Sequence, residues 1–320
     1  MSPRARILVF VSVAAAAAAG ATVGVTALTS DPKPPSLCPK GPPLELDLGV
    51  RTDREAVTLR RAQERLQAGD RGAAARALAQ STSLAAQVGA AVLAWPAETL
   101  PRLQRLAAAH PRSAVVRLHL GLALFCSGRR GDAERAWRAA KRVEPDSAAA
   151  IRAADLLHPQ YPIPGVPVFV PSFSPPSRIL ALPPARQLSE LARRARARDV
   201  RAKLLYGFAL QRLRRPVSAE RAYAAAAALA PNDPEAQVAA AVGRFNKDHP
   251  AAAFARLGPL TNRFPRAATV RFHLGLLLLW LGRVGDAERQ LARAQELAPA
   301  SLLGREAARL LARLGGQRTS

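Results

Sequence analysis

Residues 271–289 read RFHLGLLLLWLGRVGDAER, and this stretch decides the fold. Its apolar run is bounded by Arg271 and Arg283, which makes it too short for a transmembrane helix of about 20 apolar residues. The run is rich in leucine, and the segment after it has apolar residues spaced by three and four, so a helix is favoured over a strand. A helix that is apolar on nearly all sides must be covered by neighbouring elements. The sequence should therefore contain similar helices.

A second copy of this stretch lies earlier in the chain. Residues 116–147 match residues 270–301 at 17 of 32 positions, and residues 203–233 form a third, weaker copy. Prolines recur at one constant spacing, from Pro111 to Pro145 and again from Pro231 to Pro265 to Pro299. A period of about 34 residues, with two helices and a proline at the end, resembles the tetratricopeptide repeat.

The resemblance covers most of residues 54–315, and single positions carry it. The repeat places glycine in its first helix, a small residue early in its second helix, and proline at its end. The corresponding residues are Gly121, Gly207, Gly275, Ala133, Ala219, Ala287, Pro145, Pro231, Pro265 and Pro299. The tryptophan that is usual near the start of the repeat is absent. The resemblance implies an all-α solenoid of antiparallel helix pairs.

The domain organisation follows from these repeats and from the segments between them. We expect a signal-anchor or transmembrane helix in 1–30, a Pro-rich linker in 31–52, repeats in 53–157, a Pro-rich insert in 158–177, further repeats with a capping helix in 178–315, and a disordered tail in 316–320. The insert interrupts one repeat, which keeps a helix near 148–157 and resumes with another near 184–197.

The insert is apolar as well as rich in proline, which forbids a helix there. A long apolar loop is costly in water, so we expect it to be docked. The predicted seat is the concave face lined by Leu118, Leu122, Phe125 and Phe208. On this face the insert would be either a permanent filler or a lid that a partner displaces. If it is not docked, it only connects the two halves of the interrupted repeat.

The N-terminus carries an export or anchor signal. Arg4 and Arg6 precede an uncharged run from Ile7 to Ser30. The length of this run favours an uncleaved membrane anchor with the repeats outside the cytoplasm, while a cleaved signal peptide and secretion remain the alternative. Cys38 is a poor lipidation site because a bulky leucine precedes it.

The remaining composition gives few chemical leads. The net charge of +24 suggests contact with an anionic lipid or polymer, whereas the absence of recognition motifs makes nucleic acid an unlikely partner. We expect Cys126 to be a buried free thiol, although a disulfide with Cys38 stays open. His119 and His273 occupy one repeat position, which argues against a joint metal site. We find no motif for catalysis, a metal or a cofactor.

Function is therefore expected to reside in a surface. The resemblance implies that the first helices line a groove for a partner protein or peptide. The predicted groove residues are Leu118, Leu122, Phe125, Cys126, Arg201, Leu204, Phe208, Gln211, Arg212, Phe272, Leu276, Leu279 and Trp280. The sequence predicts a non-catalytic protein-interaction scaffold or adaptor, tethered to a bacterial cytoplasmic membrane and facing outward.

Two other functions stay open at this stage. One is an envelope assembly or chaperone-like factor that holds client segments, an analogy at the level of fold. The other is a binder of anionic lipid or cell-wall polymer through the basic surface. The salt dependence of binding distinguishes an anionic-polymer binder from an apolar groove, because charge-driven binding weakens as ionic strength rises.

Overall fold

The computed structural model describes Cys38 and residues 41–316. These residues form sixteen helices and no β-strand, which confirms the predicted all-helical class. The helices are α1 (Arg54–Gln67), α2 (Arg71–Leu78), α3 (Leu84–Leu93), α4 (Thr99–Ala109), α5 (Ala114–Cys126), α6 (Arg130–Val143), α7 (Ala148–Leu157), α8 (Ser177–Leu180), α9 (Pro184–Ala195), α10 (Val200–Arg212), α11 (Pro216–Leu229), α12 (Pro234–Gly243), α13 (Ala251–Arg263), α14 (Ala268–Trp280), α15 (Val284–Leu297) and α16 (Leu302–Gly316).

The period of the prolines appears directly in the helix starts. Helices α10, α12, α14 and α16 begin at equal intervals along the chain, and the same interval separates the starts of α5 and α7. Side-chain oxygens fix several of these starts: Asp199 accepts from the backbone N–H of Ala202, and Ser113 accepts from that of Val116. The predicted helices on either side of the insert are found as α7 and α9.

The described residues fall into two compact units, one ending at Leu157 and the other beginning at His158. The N-terminal unit contains α1–α7 together with the extended segment that precedes them. The C-terminal unit contains α8–α16 together with the non-helical segment 161–173, which is free of turns and bends over residues 166–171. Each unit therefore combines a row of paired helices with one stretch of extended chain.

Glycines allow the paired helices to approach closely. A Cβ atom built on Gly121 of α5 would lie 2.3 Å from Nε1 of Trp137 on α6. A Cβ atom on Gly207 of α10 would lie 2.4 Å from the ring of Tyr223 on α11. Both rings are buried, so each glycine leaves the room that an aromatic side chain of the next helix fills. The predicted role of these repeat positions thus has a direct steric cause.

Predictions for the two chain ends fall largely outside the described residues. The predicted membrane anchor in 1–30 lies outside the described residues, and so do residues 317–320 of the predicted tail. Gly316, placed in that tail by the sequence, is the last residue of α16. Within Cys38 and residues 41–316, no helix combines the length and the apolar character that crossing a bilayer requires.

Candidate functional site: two faces that hold an extended strap

The C-terminal unit holds the Pro-rich insert against its helices. We call residues 161–173 the C-terminal strap. Ile163, Phe169 and Val170 are buried and join the hydrophobic cluster formed by α10–α16. The Phe169 ring stacks on the imidazole of His273, with ring centroids 5.1 Å apart, and meets the Tyr223 ring edge to face at 5.4 Å. The insert is therefore docked within this unit, and it covers part of its helical surface.

Hydrogen bonds to the strap backbone fix its register. The N–H of Phe169 donates to Oε1 of Gln211 at 2.9 Å, and the same oxygen accepts the hydroxyl of Tyr223 at 2.8 Å. The N–H of Val170 donates to Nε2 of His273 at 2.9 Å. Because backbone N–H groups are the donors, the helices recognise extended chain at these points and not particular side chains.

Two charged residues hold the ends of the same strap. The buried ammonium of Lys247 donates to the carbonyl of Ile163 at 3.0 Å. At the other end, the hydroxyl of Ser172 donates to Oε2 of Glu235 at 3.1 Å, and its backbone N–H donates to Oε1. Burial raises the pKa of the Glu235 carboxyl, whereas the bonds from Ser172 lower it. Both ends of the strap are thus tied by buried or partly buried polar groups.

The N-terminal unit contains a corresponding strap in the segment predicted as a linker. We call residues 41–48 the N-terminal strap. Leu44 and Leu48 are buried against the helices of this unit. The N–H of Glu45 donates to Nε2 of His119 at 3.0 Å, and the N–H of Leu46 donates to Oε1 of Gln63 at 2.9 Å. A histidine on one helix and a glutamine on another thus bind consecutive strap amides in both units.

The N-terminal strap is also fastened covalently and by charge. Cys38 forms a disulfide with Cys126, so the expectation of a free Cys126 thiol is wrong. The reason is that the chain before α1 folds back along α5 and brings Cys38 to the end of that helix. Farther along the strap, the carboxylate of Glu45 pairs with Nε of Arg152 on α7 at 2.9 Å.

The two straps run in the same sense relative to the helix that carries the histidine. In the N-terminal unit, Cys38 lies at the last residue of α5 and Glu45 lies at His119, one to two turns earlier. In the C-terminal unit, Pro162 lies near Gly282, just after α14, and Val170 lies at His273. Each strap is therefore antiparallel to its histidine helix, which gives the two units one binding geometry.

Geometry fixes the protonation state of both histidines. Nδ1 of His119 lies 2.7 Å from the carbonyl oxygen of Val115, and Nδ1 of His273 lies 2.7 Å from that of Thr269. Nδ1 must carry the proton, because a carbonyl only accepts, and Nε2 must be bare to accept the strap amide. A doubly protonated ring would turn a donor toward the strap amide. The strap contact thus requires a neutral imidazole in each unit.

Lowering the pH from 7 to 5 is expected to reduce the unfolding free energy of each unit by about 2 kcal/mol through this histidine. Burial lowers the pKa of His119 and of His273 from 6.5 to about 4. Below pH 6.5 the histidine is protonated in the unfolded chain but stays neutral in the folded chain. Its contribution to the unfolding free energy is therefore complete above pH 6.5 and is lost as the pH falls toward about 4. Urea unfolding at several pH values measures this slope.

Matched variants separate these histidines from other titrating groups. His119→Gln and His273→Gln keep an acceptor for the strap amide but cannot take up the proton, so each should flatten the slope of its own unit. Each of the two variants should leave the slope of the other unit unchanged, so each serves as the control for the other. Equal slopes in the wild type and in both variants would contradict the assignment.

The predicted groove residues of the N-terminal unit are mostly covered by the chain itself. Leu118 and Leu122 are buried in one cluster with Trp137. Phe125 is half-buried, and its ring centroid lies 5.8 Å from that of Trp137. Cys126 is held in the disulfide. The expected seat of the insert included the first three of these residues, but they lie in the core of the N-terminal unit, while the insert packs within the C-terminal unit.

The predicted groove residues of the C-terminal unit surround the strap or lie beside it. Gln211 bonds the strap directly, and the Arg201 guanidinium lies 5.0 Å from the centroid of the Phe173 ring. Arg212 is half-buried over the ring of Phe208. The others are all buried: Leu204, Phe208, Phe272, Leu276, Leu279 and Trp280. That these residues bind a partner stays a prediction.

Apart from Gln211, the residues that hydrogen-bond or ion-pair with the straps were not predicted as site residues from the sequence. His119 and His273 were set aside as a repeat feature, although a buried polar residue in an apolar helix needs a partner. The sequence pattern did not mark Gln63, Arg152 or Lys247 as site residues, because each lies outside the best-matched repeats. The recurrence of histidine at one position of two apolar helices is the signal that could have indicated a shared internal ligand.

Comparisons with known proteins add little to this picture. No protein-family model and no curated protein matches the chain. Among solved structures, a tetratricopeptide repeat protein from Parabacteroides merdae is 14% identical, with 82% of this chain and 98% of that chain covered and a TM-score of 0.34. Yeast Tom70 is 13% identical over 83% of this chain, which spans about half (54%) of Tom70, with a TM-score of 0.32. Scores at this level do not assign the chain to a fold family.

Proposed function

We propose that this protein is a non-catalytic protein-interaction scaffold built on tetratricopeptide-like repeats, anchored through residues 1–30 and facing outward from the membrane. The observation that supports it most is the strap geometry: helices of each unit bind extended polypeptide through its backbone amides. A surface that binds the backbone amides of an extended chain and buries its apolar side chains is suited to peptide recognition.

The disulfide supports the outward orientation. Disulfides persist in oxidising compartments and are rare in the cytosol, and Cys38 and Cys126 are bonded to each other. Arg4 and Arg6 before the uncharged segment are expected to stay on the cytoplasmic side. Together these features favour a body that functions outside the cytoplasm.

Site-specific crosslinking tests the scaffold. A photoreactive residue at Phe125, which is half-buried beside the disulfide, should capture a recurring protein partner in intact cells. The same probe at Arg138, an exposed residue of α6 paired with Glu134, is the control. Identical sets of captured proteins at the two positions, or no captured protein, would count against the scaffold.

Fractionation tests the anchor separately. The full chain should sediment with membranes, and its C-terminal body should be digested by a protease added outside spheroplasts. Deletion of residues 1–30 should release a helical protein into the soluble fraction. If the product of the wild-type gene appears in the medium with a new N-terminus near Leu28, residues 1–30 are a cleaved signal peptide and not a membrane anchor.

Binding of an anionic lipid or polymer is the second candidate function, and one cleft favours it. A cleft between α9, α10 and α11 is lined by Arg196, Lys203 and Arg221, together with Tyr206 and Ser218. Within the described part of the chain, none of the three cations forms a salt bridge, and the side-chain ammonium of Lys203 donates to the carbonyl of Ala195. Cations that line one cleft without an acidic partner attract phosphate or carboxylate groups.

Salt and charge variants distinguish this candidate from the scaffold. Binding of the full chain in detergent to inorganic polyphosphate should collapse between about 50 and 300 mM salt. Arg196→Gln with Arg221→Gln should weaken it more than Arg61→Gln with Arg105→Gln, which removes the same charge from exposed sites elsewhere. Equal losses for the two pairs would assign the binding to net charge and not to the cleft.

A further inference from the structure

The two strap-binding faces can be compared position by position, because one constant offset along the chain relates the two best-matched repeats. His119 and His273 correspond, and each accepts one strap amide. By the same offset Arg152 of α7 corresponds to Glu306 of α16, and the starts of these two helices, Ala148 and Leu302, keep that offset. The histidine bonds place Glu45 of one strap at the position of Val170 of the other.

The N-terminal strap satisfies the polar groups of its face. Glu45 pairs with Arg152 at 2.9 Å, and Asp47 accepts from the first backbone N–H of α7 at 3.4 Å. The strap is acidic where the helix behind it offers a cation and a positive dipole end. Cys126, near the start of this strap, carries the disulfide.

In the C-terminal unit, one polar atom on α14 and one on α16 lack hydrogen-bond partners among the described residues, at positions that the offset relates to the N-terminal face. Glu306 is 2% exposed, and its Oε1 has no hydrogen-bond partner among the described residues; its Oε2 accepts from Nη1 of Arg309 at 3.2 Å. Trp280, which corresponds to Cys126, is 8% exposed, and its indole N–H likewise lacks an acceptor there. The strap offers no cation to Glu306, since residues 161–173 contain no charged side chain.

The C-terminal strap also lacks a covalent latch. The chain has two cysteines, and both are used in the N-terminal unit. The C-terminal strap is therefore not covalently fixed, and a buried carboxylate oxygen and an indole N–H of its unit lack hydrogen bonds within the described residues. A peptide that bonds these two groups can replace it. Phe169 must nevertheless be matched, because its ring fills the space between Tyr223 and His273.

We infer that the C-terminal face binds, in exchange for its own strap, an extended apolar peptide of a partner protein that carries arginine or lysine at the position of Val170. The cation would pair with Glu306, as Glu45 pairs with Arg152 in the other unit, and a backbone carbonyl would accept the indole N–H of Trp280. The ligand keeps an aromatic residue just before the cation, which takes the place of Phe169. This inference rests on the proposed scaffold function and names its partner class.

Synthetic peptides test the exchange on the full chain in detergent micelles. Three fluorescent peptides span residues 161–173: the native sequence, the sequence with Val170→Arg, and the sequence with Val170→Glu. We expect the arginine peptide to bind at least about tenfold more tightly than the native peptide, and the glutamate peptide to bind most weakly. The protein carries +24, so general electrostatics would favour the opposite order.

A protein variant assigns the preference to Glu306. Glu306→Gln keeps the shape of the side chain and should abolish the advantage of the arginine peptide, whereas Glu296→Gln, at an exposed acid paired with Arg293, should preserve it. Thermal unfolding of both variants checks that they are folded. The affinities of the three peptides for the wild-type protein test the arginine preference even if a variant does not fold.

Three results would overturn the inference: no binding of any peptide, equal affinities for all three, or an arginine preference that survives Glu306→Gln. If a partner is captured by crosslinking while the peptide series is flat, the exchange fails and the scaffold stands. If the peptides behave as expected while no partner is captured, the scaffold is in doubt although the site exists.

Discussion

Replacing Gly121 by leucine is expected to destabilise the N-terminal unit by more than about 3 kcal/mol. The Cβ atom alone would lie 2.3 Å from Nε1 and 2.4 Å from Cδ1 of Trp137. The indole is buried and donates to the carbonyl of Leu118 at 3.3 Å, so it cannot swing away without losing packing and a hydrogen bond. The leucine must therefore push α5 and α6 apart.

Alanine substitutions provide the matched comparison. Gly121→Ala should be destabilising, whereas Gly285→Ala, on α15 with no atom within 4 Å of the added Cβ, should be neutral or stabilising by a few tenths to about 1 kcal/mol. Gly207→Ala, whose Cβ would lie 2.4 Å from Tyr223, extends the test to the C-terminal unit. Calorimetric melting measures all three, and an unchanged melting temperature for Gly121→Leu would mean that the assigned helix contact is wrong.

Removing the disulfide is expected to cost the N-terminal unit about 4 kcal/mol, because the bond closes a loop across 88 residues. The loop spans the N-terminal strap and α1–α5, so reduction frees the strap end and enlarges the unfolded ensemble of that unit. The C-terminal unit has no cysteine and should keep its transition.

Differential scanning calorimetry with and without a dithiol reductant measures this difference. The double variant Cys38→Ser with Cys126→Ser should melt like the reduced wild type and should not respond to the reductant. If the reductant shifts both units equally, or shifts the double variant as well, the effect does not come from the disulfide.

The helical framework could be predicted from the sequence because its determinants are local and recur. The constant spacing of Pro231, Pro265 and Pro299 predicts the spacing of the repeats. In the structure α12, α14 and α16 each begin at the same distance after one of these prolines. The repeat glycines stand opposite large side chains of the following helix, a relation that the family resemblance also implies. Such features are encoded within one repeat and need no knowledge of distant contacts.

The straps could be predicted only in part, because their contacts are distant and use the backbone. The apolar character of the insert indicated that it is docked, but not which helices receive it. The linker gave no comparable signal, since Glu45 and Leu46 are held by amide N–H groups that every non-proline residue possesses. The Cys38–Cys126 bond depends on that strap, so it could not be deduced from spacing alone.

Amide hydrogen exchange on the intact, oxidised protein tests most directly the claim that both units hold a strap of their own chain. We expect the N–H groups of Glu45, Leu46, Phe169 and Val170 to exchange as slowly as those of the helices that bind them, since each is hydrogen-bonded to a side chain of its unit at a buried or partly buried position. The amide of Val168, for which the described residues provide no acceptor, should exchange faster. Exchange of all four strap amides at the rate of an unstructured peptide would contradict the claim.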